Sequence, residues 1–155
     1  MTTIAPNTVA PDFTLLTDEG KALTLSSLRG RPVVLYFYPK DDTPSCTTES
    51  CEFRDAFPAF DTAGVTVLGI SPDSVKSHAK FKAKFNLPFT LLADTDKLVV
   101  NEYDVWKEKS MYGRKYMGVE RTTFLIDASG DIVRVFSKVK AAGHAAEVMD
   151  AISKL

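Results

Sequence analysis

Apolar residues crowd into two short runs, Val33–Tyr38 and Val65–Ile70, each bounded by turn-forming residues. Runs of this length and composition read as strands buried on both faces. Ahead of them, Phe13–Leu16 and Leu23–Leu25 flank Thr17-Asp18-Glu19-Gly20-Lys21, a hairpin signal, and Ser26–Gly30 reads as a short helical turn ending on glycine. Residues 1–11, with Pro6 and Pro11, form an extended lead-in. After the first buried strand, Thr43-Pro44 opens a helix: Thr suits the N-cap, and Pro suits the first helical position, where its missing N–H would be unpaired anyway. Phe53, Phe57 and Phe60 follow Cys46 at offsets of seven, eleven and fourteen, so all four share one helical face. Pro58 falls inside that pattern and predicts a kink or an end near Phe57.

Beyond the second buried strand, a helix is expected from about Ser74 to Phe85, with Val75, Phe81 and Phe85 inward and its lysines mostly outward. Phe89–Leu92 reads as a short strand and Asp96–Tyr103 as a short helix. Trp106–Gly118 is charged, aromatic and poorly periodic, and is read as a loop with short pairings. Thr122–Ile126 and Ile132–Phe136 flank Asp127-Ala128-Ser129-Gly130-Asp131, the clearest hairpin in the chain. Ala145, Val148, Met149, Ile152 and Leu155 mark a C-terminal amphipathic helix. The order is hairpin, β-α-β, helix, hairpin, helix. A parallel crossover joined to an antiparallel hairpin, with helices on both faces, predicts a thioredoxin-like α/β sandwich. Its central mixed sheet carries an N-terminal β-hairpin extension, and residues 1–155 form one domain.

Composition narrows the function more by exclusion than by indication. At 155 residues the chain can bury a core without disulfide staples. A formal net charge of −1 gives no reason to expect nucleic acid or an anionic membrane as partner. No apolar stretch approaches the ~20 residues that span a bilayer. The start of the chain has neither the basic nor the apolar region of a signal peptide, so a cytoplasmic location is expected. In a reducing compartment, paired cysteines tend towards catalysis or redox sensing.

The chain has only two cysteines, Cys46 and Cys51. Cys46 sits in the first turn of its helix, where unpaired N–H groups and the helix dipole favour an anion, and a thiolate is cysteine's reactive form. Without its flanking pattern, a cysteine there reads first as a small buried apolar residue, the commonest fate of a free cysteine. In an intact helix, residues five apart are displaced by a ~7.5 Å rise and rotated by ~140°, leaving their Cα atoms about 8–9 Å apart. A disulfide needs ~7 Å or less. Either the two cysteines are unrelated, or the helix must unwind locally for them to meet.

Pro39-x-x-x-Thr43-x-x-Cys46 resembles the active-site motif of the peroxiredoxins, thiol peroxidases that reduce hydroperoxides. The longer string Thr43–Asp55 is similar to the bacterioferritin comigratory protein, or PrxQ, subgroup, whose two-cysteine branch carries a second cysteine five residues after the first. Gly118–Asp127 resembles the family's arginine-bearing strand, and Ala10–Phe13 and Leu25–Gly30 resemble further family segments, so the likeness spans nearly the whole chain. The resemblance implies that Cys46 is the peroxidatic cysteine and that Cys51 resolves its sulfenic acid as an intramolecular disulfide. It implies recycling by thioredoxin or a similar dithiol reductant, no metal or organic cofactor, and a monomer. It further implies that Thr43 hydrogen-bonds thiolate and peroxide, Arg121 supplies a fixed positive charge, Pro39 shields the site, and Glu49 orients the arginine. One departure stands out: the family usually has glycine where this chain has Ser45.

The remaining signals have plainer readings. Lys76, Lys80, Lys82 and Lys84 read as a solvated helix face, and His78 and His144 stand far from each other and from the cysteines, without the spacing of a zinc site. The competing functions are a non-enzymatic peroxide sensor using the same disulfide and a general thiol–disulfide oxidoreductase. The absence of C-x-x-C argues against the latter, and the Thr43 and Arg121 pairing favours peroxide chemistry over sensing.

Overall fold

The structure, a computed structural model, describes residues 4–155, so Met1–Thr3 of the lead-in lie outside the described residues. The rest of the lead-in contributes a two-residue strand, β1 (Thr8–Val9). The first hairpin follows as β2 (Thr14–Thr17) and β3 (Ala22–Thr24), and then a 3-10 turn at Leu25–Leu28. The two apolar runs form β4 (Val33–Phe37) and β5 (Thr66–Ser71), joined by the long helix α1 (Pro44–Thr62). Next come α2 (Val75–Phe85), β6 (Thr90–Ala93) and α3 (Leu98–Glu102). A hairpin of β7 (Trp106–Met111) and β8 (Arg114–Val119) precedes β9 (Thr122–Ile126), β10 (Asp131–Phe136) and α4 (His144–Ser153).

Eight strands pair in the order β1-β10-β9-β4-β5-β6-β2-β3. β4, β5 and β6 run parallel, and the flanking pairs are antiparallel. The predicted mixed sheet with its N-terminal hairpin at one edge is thus present. Alternation along β4 divides the core between the two sides. Val34 and Tyr36, with Tyr38 beyond them, pack against Cys46, Phe53 and Phe60 of α1, Phe81 of α2 and Val148 of α4. Val33, Leu35 and Phe37 face the other way, towards Phe13, Val99, Val100 and Tyr103. Because both faces of β4 are covered, all five of its residues are buried, as an uninterrupted apolar run requires.

Three expectations need correction. Pro58 does not end α1, which continues to Thr62. Proline costs a helix roughly 3 kcal/mol through a lost hydrogen bond and a steric clash. Phe53 and Phe60 lie on either side of it, both fully buried, and each ring contributes about 1.5–3 kcal/mol. Their combined burial outweighs the proline, whose ring sits on the exposed face. Trp106–Gly118 is not a loop but most of the β7–β8 hairpin, paired from Trp106↔Val119 to Met111↔Arg114. Its strands are largely exposed and charged, so no buried face imposes alternation. At its turn, Tyr112 and Gly113 both take positive φ, 52° and 77°, as a two-residue hairpin turn demands. Leu155, finally, is exposed rather than on the buried face of α4. No helix among the described residues is long and apolar enough to cross a membrane.

Candidate active site

The register of the sheet determines which residues meet at the start of α1. Phe37, the last residue of β4, pairs with Thr122, the first of β9. Arg121 therefore stands beside the point where the chain leaves β4 for α1. Cys46 and Glu49, three residues apart in the first turns of α1, point from one face of the helix. Arg121 spans both: its Nη2 donates to Cys46 Sγ at 3.2 Å and its Nη1 to Glu49 Oε1 at 2.6 Å. The rigid planar guanidinium fixes both contacts together, which a lysine cannot do.

This cluster is withdrawn from water. Cys46 is 1% exposed and the Glu49 side chain is fully buried. Burial pushes the Glu49 carboxyl up to about 7, and the nearby Arg121 charge offsets the rise only in part. Its second oxygen, Oε2, is buried with no hydrogen-bond partner among the described residues. Near neutral pH Glu49 therefore alternates between an ion pair with Arg121 and a neutral hydrogen-bonded acid. Burial acts to lower the Arg121 pKa, but the charges of Glu49 and Cys46 outweigh it and hold the guanidinium firmly cationic. When Glu49 is neutral, the positive charge of Arg121 is left to the sulfur.

Thr43 occupies the N-cap position with extended backbone (φ −96°, ψ 156°), and its carbonyl accepts the Thr47 N–H at 2.8 Å. Its hydroxyl does not cap the helix, contrary to what residue preference suggests. It donates instead to the Lys40 carbonyl at 2.8 Å, closing the loop before the helix. Pro39 lies half-buried in that same loop. The second turn of α1 is anchored by Ser50, whose hydroxyl meets Tyr36 Oη at 2.9 Å, and by Phe53, stacked on Tyr36 at 4.8 Å between centroids.

Cys51 lies on the same unbroken helix, half-buried, and both cysteines are free. Burial pushes the Cys51 thiol up against the pull of Arg54, so it ionises less readily than an ordinary cysteine. The structure thus brings Cys46, Glu49 and Arg121 into direct contact, holds Thr43 and Pro39 on the adjoining loop, and leaves Cys51 further along the helix.

The chain belongs to the AhpC/TSA family. Residues 6–135 match its family model. A Bacillus subtilis protein, peroxiredoxin Bcp, is 47% identical over 146 residues, covering 94% of this chain and 93% of the relative. A Coxiella burnetii protein carrying the peroxiredoxin Bcp name is 59% identical over 140 residues, 90% of this chain and 93% of that one. Xanthomonas campestris peroxiredoxin Q superposes with a TM-score of 0.87 at 46% identity, covering 92% of this chain and 90% of that chain. A cysteine variant of Xylella fastidiosa PrxQ gives 0.93 at 39% identity, covering 99% and 98%. The sequence resemblance to the Bcp, or PrxQ, peroxiredoxins and the thioredoxin-like fold are both borne out, and with them membership of a class of thiol-dependent peroxidases.

Two features of this peroxiredoxin escaped sequence reasoning. Lys109, on the β7–β8 hairpin, lies close enough to the site to feel it. Its pKa is lowered by burial and by the charge of Arg121, while Cys46 and Glu120 pull it back up. Its stem lies across Gly118, where a Cβ would stand 3.3 Å from the Lys109 Cδ, so the glycine leaves room for it. Treating Trp106–Gly118 as a loop hid this placement. The second is His78, which occupies the inward face of α2 between Val75 and Phe81 and is fully buried. A histidine in an apolar stripe was the available signal. Its Nδ1 meets Asp41 Oδ2 at 2.8 Å. Asp41, Asp73 and His78 bring ligand-type atoms within 4.8 Å of one another, but those atoms are engaged in hydrogen bonds within the cluster.

Proposed function

We propose that this chain reduces hydroperoxides with Cys46 as the attacking thiolate and Cys51 as the resolving thiol. The observation that carries this reading is the Arg121 fork holding Cys46 Sγ and Glu49 at once. It places a permanent cation beside a buried sulfur, where the attacking thiolate and the departing oxygen both need one. The Cys46 thiolate attacks the outer peroxide oxygen; the O–O bond breaks, and the leaving oxygen takes up the proton lost by the thiol. The products are water or alcohol and a Cys46 sulfenic acid. Thr43, whose own proton goes to Lys40, keeps an oxygen lone pair to accept the peroxide O–H. Pro39 limits water beside the sulfur.

Cys51 then displaces hydroxide from the sulfenic acid, giving the Cys46–Cys51 disulfide and water. Because α1 is continuous through both cysteines, its first turns must open for this step. A dithiol reductant of thioredoxin type supplies two electrons by thiol–disulfide exchange and restores both thiols. The enzyme acts as a monomer in the cytoplasm. A solved Xanthomonas campestris bacterioferritin comigratory protein, 45% identical, was studied for alkyl peroxide reduction, which supports including organic hydroperoxides among the substrates. Catalytic turnover separates this reading from a peroxide sensor. With thioredoxin, thioredoxin reductase and NADPH, the wild type is expected to consume many equivalents of peroxide and Cys46→Ser none. A single equivalent consumed by the wild type, or sustained turnover by Cys46→Ser, would overturn it.

A further inference from the structure

The loop that delivers the chain from β4 to Thr43 and Cys46 is fastened by a buried polar network outside the Arg121 cluster. At its centre is Asp41, whose side chain is only 3% exposed. Asp41 Oδ1 accepts the Tyr38 hydroxyl at 2.6 Å, and Oδ2 accepts the Ser77 hydroxyl at 2.8 Å. His78 Nδ1 also meets Oδ2 at 2.8 Å, and His78 Nε2 meets the Leu92 carbonyl at 2.9 Å. The Asp41 backbone N–H donates to Asp73 Oδ2 at 2.8 Å, and Ser71 Oγ donates to the same atom at 2.6 Å. One residue on, Asp42 adopts φ 57° and pairs with Lys84 of α2 at 2.7 Å.

Counting donors determines the state of the histidine. The Leu92 carbonyl only accepts, so Nε2 carries a proton. An ionised Asp41 only accepts as well, so a second proton must lie between Nδ1 and Oδ2. The pair is therefore either an imidazolium facing a carboxylate or its neutral equivalent with the proton moved across, and both forms bind strongly in a dry interior. No hydrogen bond joins the pair to Cys46, Glu49 or Arg121. What it does hold is the backbone of the loop, two residues before Thr43 and five before Cys46.

We infer that Asp41 and His78 are positioning residues for peroxide attack, a shared-proton clamp that pins the β4–α1 loop to α2 and thereby fixes Thr43 and the first turn of α1. The inference rests on the peroxidase reading given above. Displacement of about an ångström at a reacting group lowers rates by up to ~10²-fold, so a loosened loop is felt in chemistry before it is felt in the fold.

The test is the rate of a single turnover: reduced enzyme mixed with peroxide, followed by loss of the Cys46 thiol, well below the unfolding temperature of each variant. Asp41→Ala is expected to slow this step by at least ~10-fold and to move the pH profile of Cys46 alkylation by iodoacetamide. Asp41→Asn, which donates to a neutral His78 and keeps the loop's shape, restores most of the rate. Tyr38→Phe removes one donor from Asp41 and keeps the packing ring; it is expected to slow attack by ~3-fold and serves if the alanine variant does not fold. Nitrogen-15 shifts of His78 in the wild type should show Nε2 protonated and Nδ1 either protonated or accepting the proton it shares with Asp41. Wild-type rate and alkylation profile in Tyr38→Phe and Asp41→Ala, or a His78 Nε2 without a proton, would overturn the clamp. Absence of any single turnover in the wild type would instead overturn the peroxidase reading.

Discussion

Arg121 forms the link between the two ionisable groups of the site, and its removal separates their effects. Arg121→Ala strips the buried sulfur of the cation that bonds it directly. Loss of one preorganised donor costs on the order of 10²-fold in rate. The Cys46 alkylation profile should move to higher pH in parallel; an unchanged profile would count against the electrostatic role. Glu49 makes a prediction of opposite character. Its carboxyl is raised from 4.5 to about 7, so between these values the folded protein binds more protons than the unfolded chain. Its contribution to stability is complete below pH 4.5 and is lost as pH rises through about 7. Glu49→Gln cannot ionise, so thermal unfolding should show the variant gaining on wild type across that window, and a constant difference would contradict the shift. Among the site residues, Cys46, Glu49 and Arg121 were all legible in the sequence because a contiguous motif and a distant arginine resembled a known pattern. Lys109 and the Asp41–His78 pair were not, since their neighbourhood arises only when β7, α2 and the β4–α1 loop are folded against one another.

In the proposed cycle, helix α1 holds Cys46 for attack and, while it is continuous, keeps Cys51 out of reach of it. On that proposal, opening the first turns is a step in its own right, and helix propensity at exposed positions there should set its rate. Ser45, exposed in the first turn, is the natural place to test this. Ser45→Gly destabilises the helix start by roughly 0.5 kcal/mol, which predicts disulfide closure ~2-fold faster. Peroxide attack should be little changed. Rapid-quench mass analysis separates the two steps; equal closure rates would show that local unwinding does not limit resolution. The same helix shows what a sequence conceals at this scale. Pro58 is a strong local stop signal, yet the buried rings of Phe53 and Phe60 carry the helix past it. The β7–β8 hairpin shows the opposite case: with little of its surface buried, it left no alternation to read.

Across the whole molecule, the fold was legible because the central strands are uniformly apolar and the terminal hairpins are signalled by turn residues. What no single segment shows is how the parts converge. Pairing of Phe37 with Thr122 brings Arg121 to the start of α1, and packing of α2 brings His78 under the loop that precedes it. One helix supplies both cysteines, and in the proposed cycle it must open between two chemical steps. Intact-mass analysis of peroxide-treated protein tests this most directly, with Cys51→Ser treated in parallel. The wild type should lose two hydrogens while remaining a single chain, and Cys51→Ser should instead gain one oxygen on Cys46. A disulfide-linked dimer from the wild type, or a Cys51→Ser protein that remains unmodified, would contradict it.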